Sequence, residues 1–208
     1  FVITEFLAEV DPVVVAAAHG ALITSEDGRE YLDAFAGISV CNAGHGCPEV
    51  LDAARLQIER LVHCATYLHA NAPAADLAEL LAEITPGTLS KSFFGNSGAE
   101  ANEAALRLAK QATGRTEFIA LQGAFHGRTN ATLSVSGMAG RKRGGGPYLP
   151  GVAFAPAPYC YRCPLGLCHP DCRLACAHAV EHVIATSTSG NVAAMILEPI
   201  QGEGGIVA

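Results

Sequence analysis

The order of apolar and polar positions predicts two regions built in different ways. In the first, Ala21-Leu22-Ile23-Thr24 and Tyr31-Leu32 flank Ser25-Glu26-Asp27-Gly28. Asp-Gly between apolar stretches is a strong turn signal, so residues 21–33 read as a hairpin. Asn42-Ala-Gly-His-Gly-Cys-Pro48 is a glycine-rich loop, and its Pro48 suits the first position of a helix. Val50, Ala54, Ile58 and Leu61 then recur at helical spacing across 49–62. A second helix follows over 73–84 and stops at Thr85-Pro86-Gly87.

Beyond Gly87 the pattern alternates. Strands are predicted at 91–94, 116–121, 152–155 and 191–197, and helices at 99–113 (closed by Gly114) and 174–185. Loops fall at 123–127 and, rich in glycine, at 137–151. Glu103 and Arg107 stand at i, i+4 and are expected to pair. Strands alternating with helices of this length predict an α/β fold, a mostly parallel sheet flanked by helices.

Composition narrows the classes. Half of the 208 residues are hydrophobic and 16% are charged, which excludes a disordered chain. No apolar run reaches the roughly 20 residues that span a bilayer; the longest, 12–24, is broken by His19 and Gly20. Thirteen basic against twenty acidic side chains give a net charge of −7, which argues against a nucleic-acid or anionic-membrane partner. Glu5, Glu9 and Asp11 interrupt the first apolar stretch, so no signal peptide is expected and a cytoplasmic location is. Phe1 in place of Met, and an end at Gly204-Gly-Ile-Val-Ala208, read as the front part of a longer chain.

Three stretches carry candidate chemistry. Phe93-Phe94-Gly95-Asn96-Ser97-Gly98-Ala99-Glu100 runs from strand through small residues into a helix, which aims backbone N–H groups and a helix dipole at one point. That is a phosphate cradle, although the local pattern fits an ordinary helix capped by Ser97 equally well. Phe125-His126-Gly127-Arg128-Thr129 follows the next strand; Phe125 suits a planar ring and Arg128 a bidentate carboxylate. Glu198-Pro-Ile-Gln-Gly-Glu203 follows the last strand. In doubly wound sheets ligands bind beyond the carboxyl ends of strands, so three such loops are expected to form one site.

Taken together, these motifs resemble the class III pyridoxal-phosphate aminotransferases, of the 4-aminobutyrate and acetylornithine type. The likeness rests on Asn96-Ser-Gly-Ala-Glu-Ala-Asn-Glu103, Phe125-His-Gly-Arg-Thr129 and Glu198-Pro-Ile-Gln-Gly-Glu-Gly-Gly205, joined by Asp27-Gly28, Tyr31-Leu-Asp33, Gly37-Ile38 and Gly44-His45. It implies a fold type I transferase. Residues 1–65 would be an N-terminal segment of the small domain, and 66–208 the first part of an incomplete large domain that binds pyridoxal 5′-phosphate.

The resemblance also implies roles. Ser97, Gly98 and Ala99 would hold the cofactor phosphate, Phe125 would stack on its ring, and His126 would lie beside it. Ile38 would wall the substrate pocket, and Arg128 would take a substrate carboxylate. Glu203 would pair with a distant arginine, and Glu198 would lie near the ring. The Schiff-base lysine and the aspartate that pairs with the pyridine nitrogen would follow Ala208, so Lys91, Lys110 and Lys142 are not candidates for that lysine. The intact protein would be a homodimer that transaminates between a ω-amino or α-amino acid and a 2-oxo acid, and the fragment alone would be inactive. A racemase of the same family, or a non-catalytic metal-stabilised binding module, is the alternative.

One stretch departs from that pattern. The segment 159–176 holds Cys160, Cys163, Cys168, Cys172 and Cys176 and reads as an insertion. Cys160, Cys163, Cys172 and Cys176 are candidate ligands for a structural Zn²⁺ or an iron–sulfur cluster. Reduced buried cysteines or a disulfide are the other readings. His45 is expected to fix its loop by a hydrogen bond.

Overall fold

The computed structural model describes residues 12–66 and 68–208. The sequence reading of residues 5–11 therefore lies outside the described residues. The chain forms two compact units, one running up to Pro86 and one from Gly87.

The first unit opens with a three-stranded antiparallel sheet, β1 (Val15–His19), β2 (Leu22–Ser25) and β3 (Glu30–Leu32). The expected hairpin is β2–β3, with Ile23 opposite Tyr31 and Gly28 at φ 84° in the turn, where glycine carries no steric penalty. The pattern did not single out β1, whose Val-Ala-Ala-Ala-His has no polar alternation. The next element, α1 (Ala36–Ser39), is a left-handed turn with φ between 50° and 64° at all four residues. Asp33 braces its entry, Oδ1 accepting from the amides of Phe35 (2.9 Å) and Ala36 (2.8 Å). His45 Nε2 lies 2.6 Å from Asp33 Oδ2, the loop-fixing bond expected of it. Then come α2 (Pro48–Arg60), with Pro48 in its first turn, and α3 (Ala72–Ile84), capped by Asn71 Oδ1. Chain contacts group α3 with this unit, past the sequence division at 65/66.

The second unit holds α4 (Gly98–Thr113), β4 (Glu117–Leu121), α5 (Asn130–Val135), the short α6 (Ala139–Lys142), β5 (Val152–Ala155), α7 (Ala175–Ser187) and β6 (Val192–Ile196). Its sheet runs β5-β4-β6, all parallel, as the alternation predicts. Central β4 is apolar on both faces, the signature of a strand covered on both sides. Its alternate side chains divide the core: Phe118 and Ala120 pack with Leu106 of α4 and Val135 of α5, while Ile119 and Leu121 pack with Ala153, Ala155 and the α7 residues Val180 and Val183. The connections leaving neighbouring strands β4 and β5 thus go to opposite faces of the sheet, which makes their carboxyl ends a topological switch point.

Two expectations fail here. Residues 91–94 form no strand, because a strand exists only by its ladder and these residues pair with no other strand among the described residues. Glu103, expected to pair with Arg107, is instead held across the fold: its Oε1 accepts from Thr129 Oγ1 (2.5 Å) and the Ala131 amide (3.2 Å).

Candidate functional site

The three predicted loops converge at the carboxyl edge of the parallel sheet. Ser97 caps α4, its Oγ accepting from the Glu100 amide (3.1 Å). Glu100 reaches back so that Oε2 accepts from the Asn96 amide (2.6 Å) and from Asn96 Nδ2 (3.0 Å). The amides of the first helical turn have no acceptor within the helix. A side chain built on Gly98 would meet nothing within 4 Å, so open space faces that turn. Ser97, Gly98 and Ala99 therefore offer an anion cradle, and the Ser97 hydroxyl can still donate its proton.

The loop after β4 lies against this cradle. At Gly127 (φ 135°) a Cβ would stand 2.6 Å from Thr132 Oγ1 and 2.9 Å from Ala99 Cβ, so only glycine lets the loop approach the helix start. Asn102 Nδ2 donates to His126 O (2.8 Å), and Glu103 holds Thr129. Phe125 is half-buried, and the Arg128 guanidinium sits 5.5 Å from its ring centroid. Arg128 itself is exposed and free to reach a carboxylate.

The loop after β6 closes the third side. Glu198 Oε1 accepts from the Phe125 amide (2.8 Å) and Oε2 from the Gly202 amide (3.2 Å). Gln201 Nε2 donates to Gln122 O (3.1 Å). At Gly204 a Cβ would stand 2.9 Å from Gly123 O, a second close approach that needs glycine. Glu203 makes an ion pair with Arg141, the two side chains 29% and 21% exposed. The arginine beside Glu203 thus comes from α6 of this chain.

His126 is the buried polar centre of the site. It is 5% exposed, and its Nε2 has no hydrogen-bond partner among the described residues. Burial lowers its pKa, and the Glu198 charge opposes that only in part. A neutral, buried imidazole with one unpaired nitrogen beside an open anion cradle fits a polar ligand at this edge.

The remaining candidates divide. Ile38 lies in the first unit, exposed, at φ 64° in the left-handed turn. Lys110 Nζ stands 5.4 Å from the Phe118 ring, while Lys142 Nζ donates to Ser134 O (2.9 Å) and stands 4.4 Å from the Phe154 ring. The proposed metal centre is not supported: among the described residues no group of three or more His, Cys, Asp and Glu is placed to hold an ion. Tetrahedral ligation needs every sulfur about 2.3 Å from one point. Cys160, Cys163, Cys172 and Cys176 instead line an apolar cavity with Leu165 and Leu167.

Sequence reasoning missed Asn102, Gln201 and Arg141. Gln201 carried a signal, as an amide in a glycine-rich stretch just past a strand. Arg141 carried none, since only the folded chain brings it to Glu203.

Comparison with known proteins agrees with this geometry. The profile of the family described as "Aminotransferase class-III" matches residues 7–208. The acetylornithine aminotransferase of Methanopyrus kandleri is 40% identical over 195 residues, covering 94% of this chain and 44% of that protein. The 4-aminobutyrate aminotransferase of Mycobacterium tuberculosis is 37% identical over 202 residues, with the same coverage of 94% and 44%. The chain thus spans less than half the length of these relatives. Among solved structures, an (S)-enantioselective omega-transaminase from Thermomicrobium roseum superposes with a TM-score of 0.88 at 35% identity, over 95% of this chain and 46% of that one. An amine transaminase from an uncultivated Pseudomonas species, in a PLP-bound form, gives 0.89 at 31% identity, over 95% and 47%.

Proposed function

The chain belongs to the class III aminotransferases, and from that premise we propose that the protein it forms part of moves an amino group from a 4-aminobutyrate-like donor to a 2-oxo acid, with pyridoxal 5′-phosphate as cofactor. The observation that carries this reading is Glu198, whose two carboxylate oxygens tie the loop after β4 to the loop after β6 beside the α4 cradle.

The cofactor, when bound, supplies an electron sink for the substrate carbon that gives up its proton. The chain's own residues supply the setting. Ser97, through its hydroxyl and amide, and the amides of Gly98 and Ala99 hold the phosphate at the positive end of α4. Phe125 would lie against the ring, its backbone fixed by Glu198. Neutral His126 presents Nε2 to the ligand without adding charge. Arg128 binds a substrate carboxylate in bidentate fashion, which a lysine's point charge does not reproduce. Glu203 sets the charge at the pocket's edge.

In this reading residues 1–65 are an N-terminal segment of the small domain and residues 66–208 the first part of the cofactor-binding large domain. The protein works as a homodimer in the cytoplasm. Residues 1–208 by themselves do not transaminate, because Lys110 lies over the Phe118 ring, Lys142 over the Phe154 ring, and Lys91 belongs to none of the three loops of the site. Among the described residues no helix is long and apolar enough to cross a membrane.

The test is an assay of the full-length, cofactor-loaded protein with 2-oxoglutarate and each of 4-aminobutyrate, N-acetylornithine and 2,4-diaminobutyrate, following glutamate. Fastest turnover with 4-aminobutyrate is the expected result. Preference for another donor moves the assignment to that type, and no glutamate from any of the three overturns it.

A further inference from the structure

The cysteine-rich segment between β5 and α7 takes no part in the site above. Cys160, Cys163, Cys172 and Cys176 line one cavity of about 20 Å³, room for little more than a water. All four are free thiols. Cys160 opens a 3₁₀ turn (Cys160–Arg162) and Cys163 caps its end. A 3₁₀ turn has three residues per turn and rises about 2 Å per residue, so side chains at i and i+3 eclipse about 6 Å apart along the axis. That starts the two side chains on the same side of the turn, with Cα atoms in the separation range a disulfide requires. Cys160 is exposed to solvent and Cys163 is half-buried. One thiol is open to an oxidant and the other is partly shielded.

We propose that Cys160 and Cys163 are a reversible dithiol–disulfide couple that responds to hydroperoxides, a modification site separate from the transamination site. The Cys160 thiolate attacks the peroxide oxygen: the O–O bond breaks, water (or an alcohol) leaves, and Cys160 becomes a sulfenic acid. The Cys163 thiol then attacks that sulfur, an S–S bond forms, and a second water leaves. The two electrons lost by the thiols reduce the peroxide. A thiol reductant returns both groups by exchange. Cys172 and Cys176, on the α7 side of the cavity, are not needed for the bond.

The experiment treats the full-length cofactor-loaded protein with hydrogen peroxide, blocks remaining thiols with iodoacetamide and digests with trypsin without reductant. Cleavage after Arg143, Arg162 and Arg173 separates the two cysteines into peptides 144–162 and 163–173. The expected result is that these peptides are linked, that dithiothreitol separates them, and that the link is lost in Cys163→Ser but kept in Cys172→Ser. A link that survives Cys163→Ser or disappears in Cys172→Ser overturns the assignment. So does Cys160 recovered alkylated or over-oxidised without a link. The readout is independent of transaminase activity, so failure of the functional reading and failure of this one are told apart.

Discussion

In the second unit Ile119, Ala120, Ala124 and Ala155 have no exposed surface, whereas no hydrophobic residue described in the first unit is buried. Ile58 of α2 is 64% exposed, and the one buried residue among those described in the first unit is Ser25. Both units have helices with clear apolar periodicity, yet only in one does the described chain cover the apolar stripe. Periodicity reports that a face is to be covered; the parallel sheet, with helices on both sides, is what covers it. The site follows the same division, since its cradle, ring residue and bridging glutamate all stand on elements of the packed unit.

The largest expected effect probes this division directly. Ile119→Ala, at the centre of β4, should cost about 2–5 kcal/mol in denaturant unfolding. Ile58→Ala should stay within about 0.5 kcal/mol. Equal effects would break the comparison. A smaller contrast lies in the carboxylates. Glu198→Ala removes two amide bonds to a charged group and should cost about 1.5–3 kcal/mol. Asp52→Ala, which loses an exposed pair with Arg55, should cost about 0.2–1 kcal/mol.

The pH dependence separates the units next. Burial holds the His126 pKa below its usual value. As pH falls through about 6.5, the unfolded chain takes up a proton that the folded one refuses, and stability declines until the folded pKa is reached. His126→Gln should flatten the slope in that window. Asp33 is held below the usual carboxylate range, first by its hydrogen bond to His45 and then by the amides of Ala36 and Phe35. Its contribution is complete above about pH 4 and is lost as pH falls through the lowered value. Asp33→Asn should remove that acid limb and leave the His126 window untouched, in unfolding curves recorded across pH.

Much of this was legible in advance. The Asp-Gly turn, Pro48, the Gly114 cap and the doubly apolar β4 are local signals, and each stands where the pattern placed it. The three loops were legible as one site because each follows a strand or opens a helix, positions the α/β architecture brings to one edge. The rest depended on partners distant in sequence. Residues 91–94 have strand-like composition but no ladder. Glu103 meets Thr129, a partner outside its helix. The cysteine spacing suggested ligation, but spacing along the chain does not bring four sulfurs to one point. Helix α5 was missed because its six residues are too few to show a period; its start is marked only by the Thr129–Thr132 contacts.

The central claim is that the α4 cradle and the loop carrying Phe125 hold pyridoxal 5′-phosphate. The most direct measurement is a titration of the stripped full-length protein with the cofactor, followed by its visible absorbance, for wild type, Phe125→Ala and Ser97→Ala. Wild type should take up the cofactor and keep it through gel filtration, and both variants should keep clearly less. Variants that retain it as wild type does, or a wild-type protein that takes up none, would contradict the account.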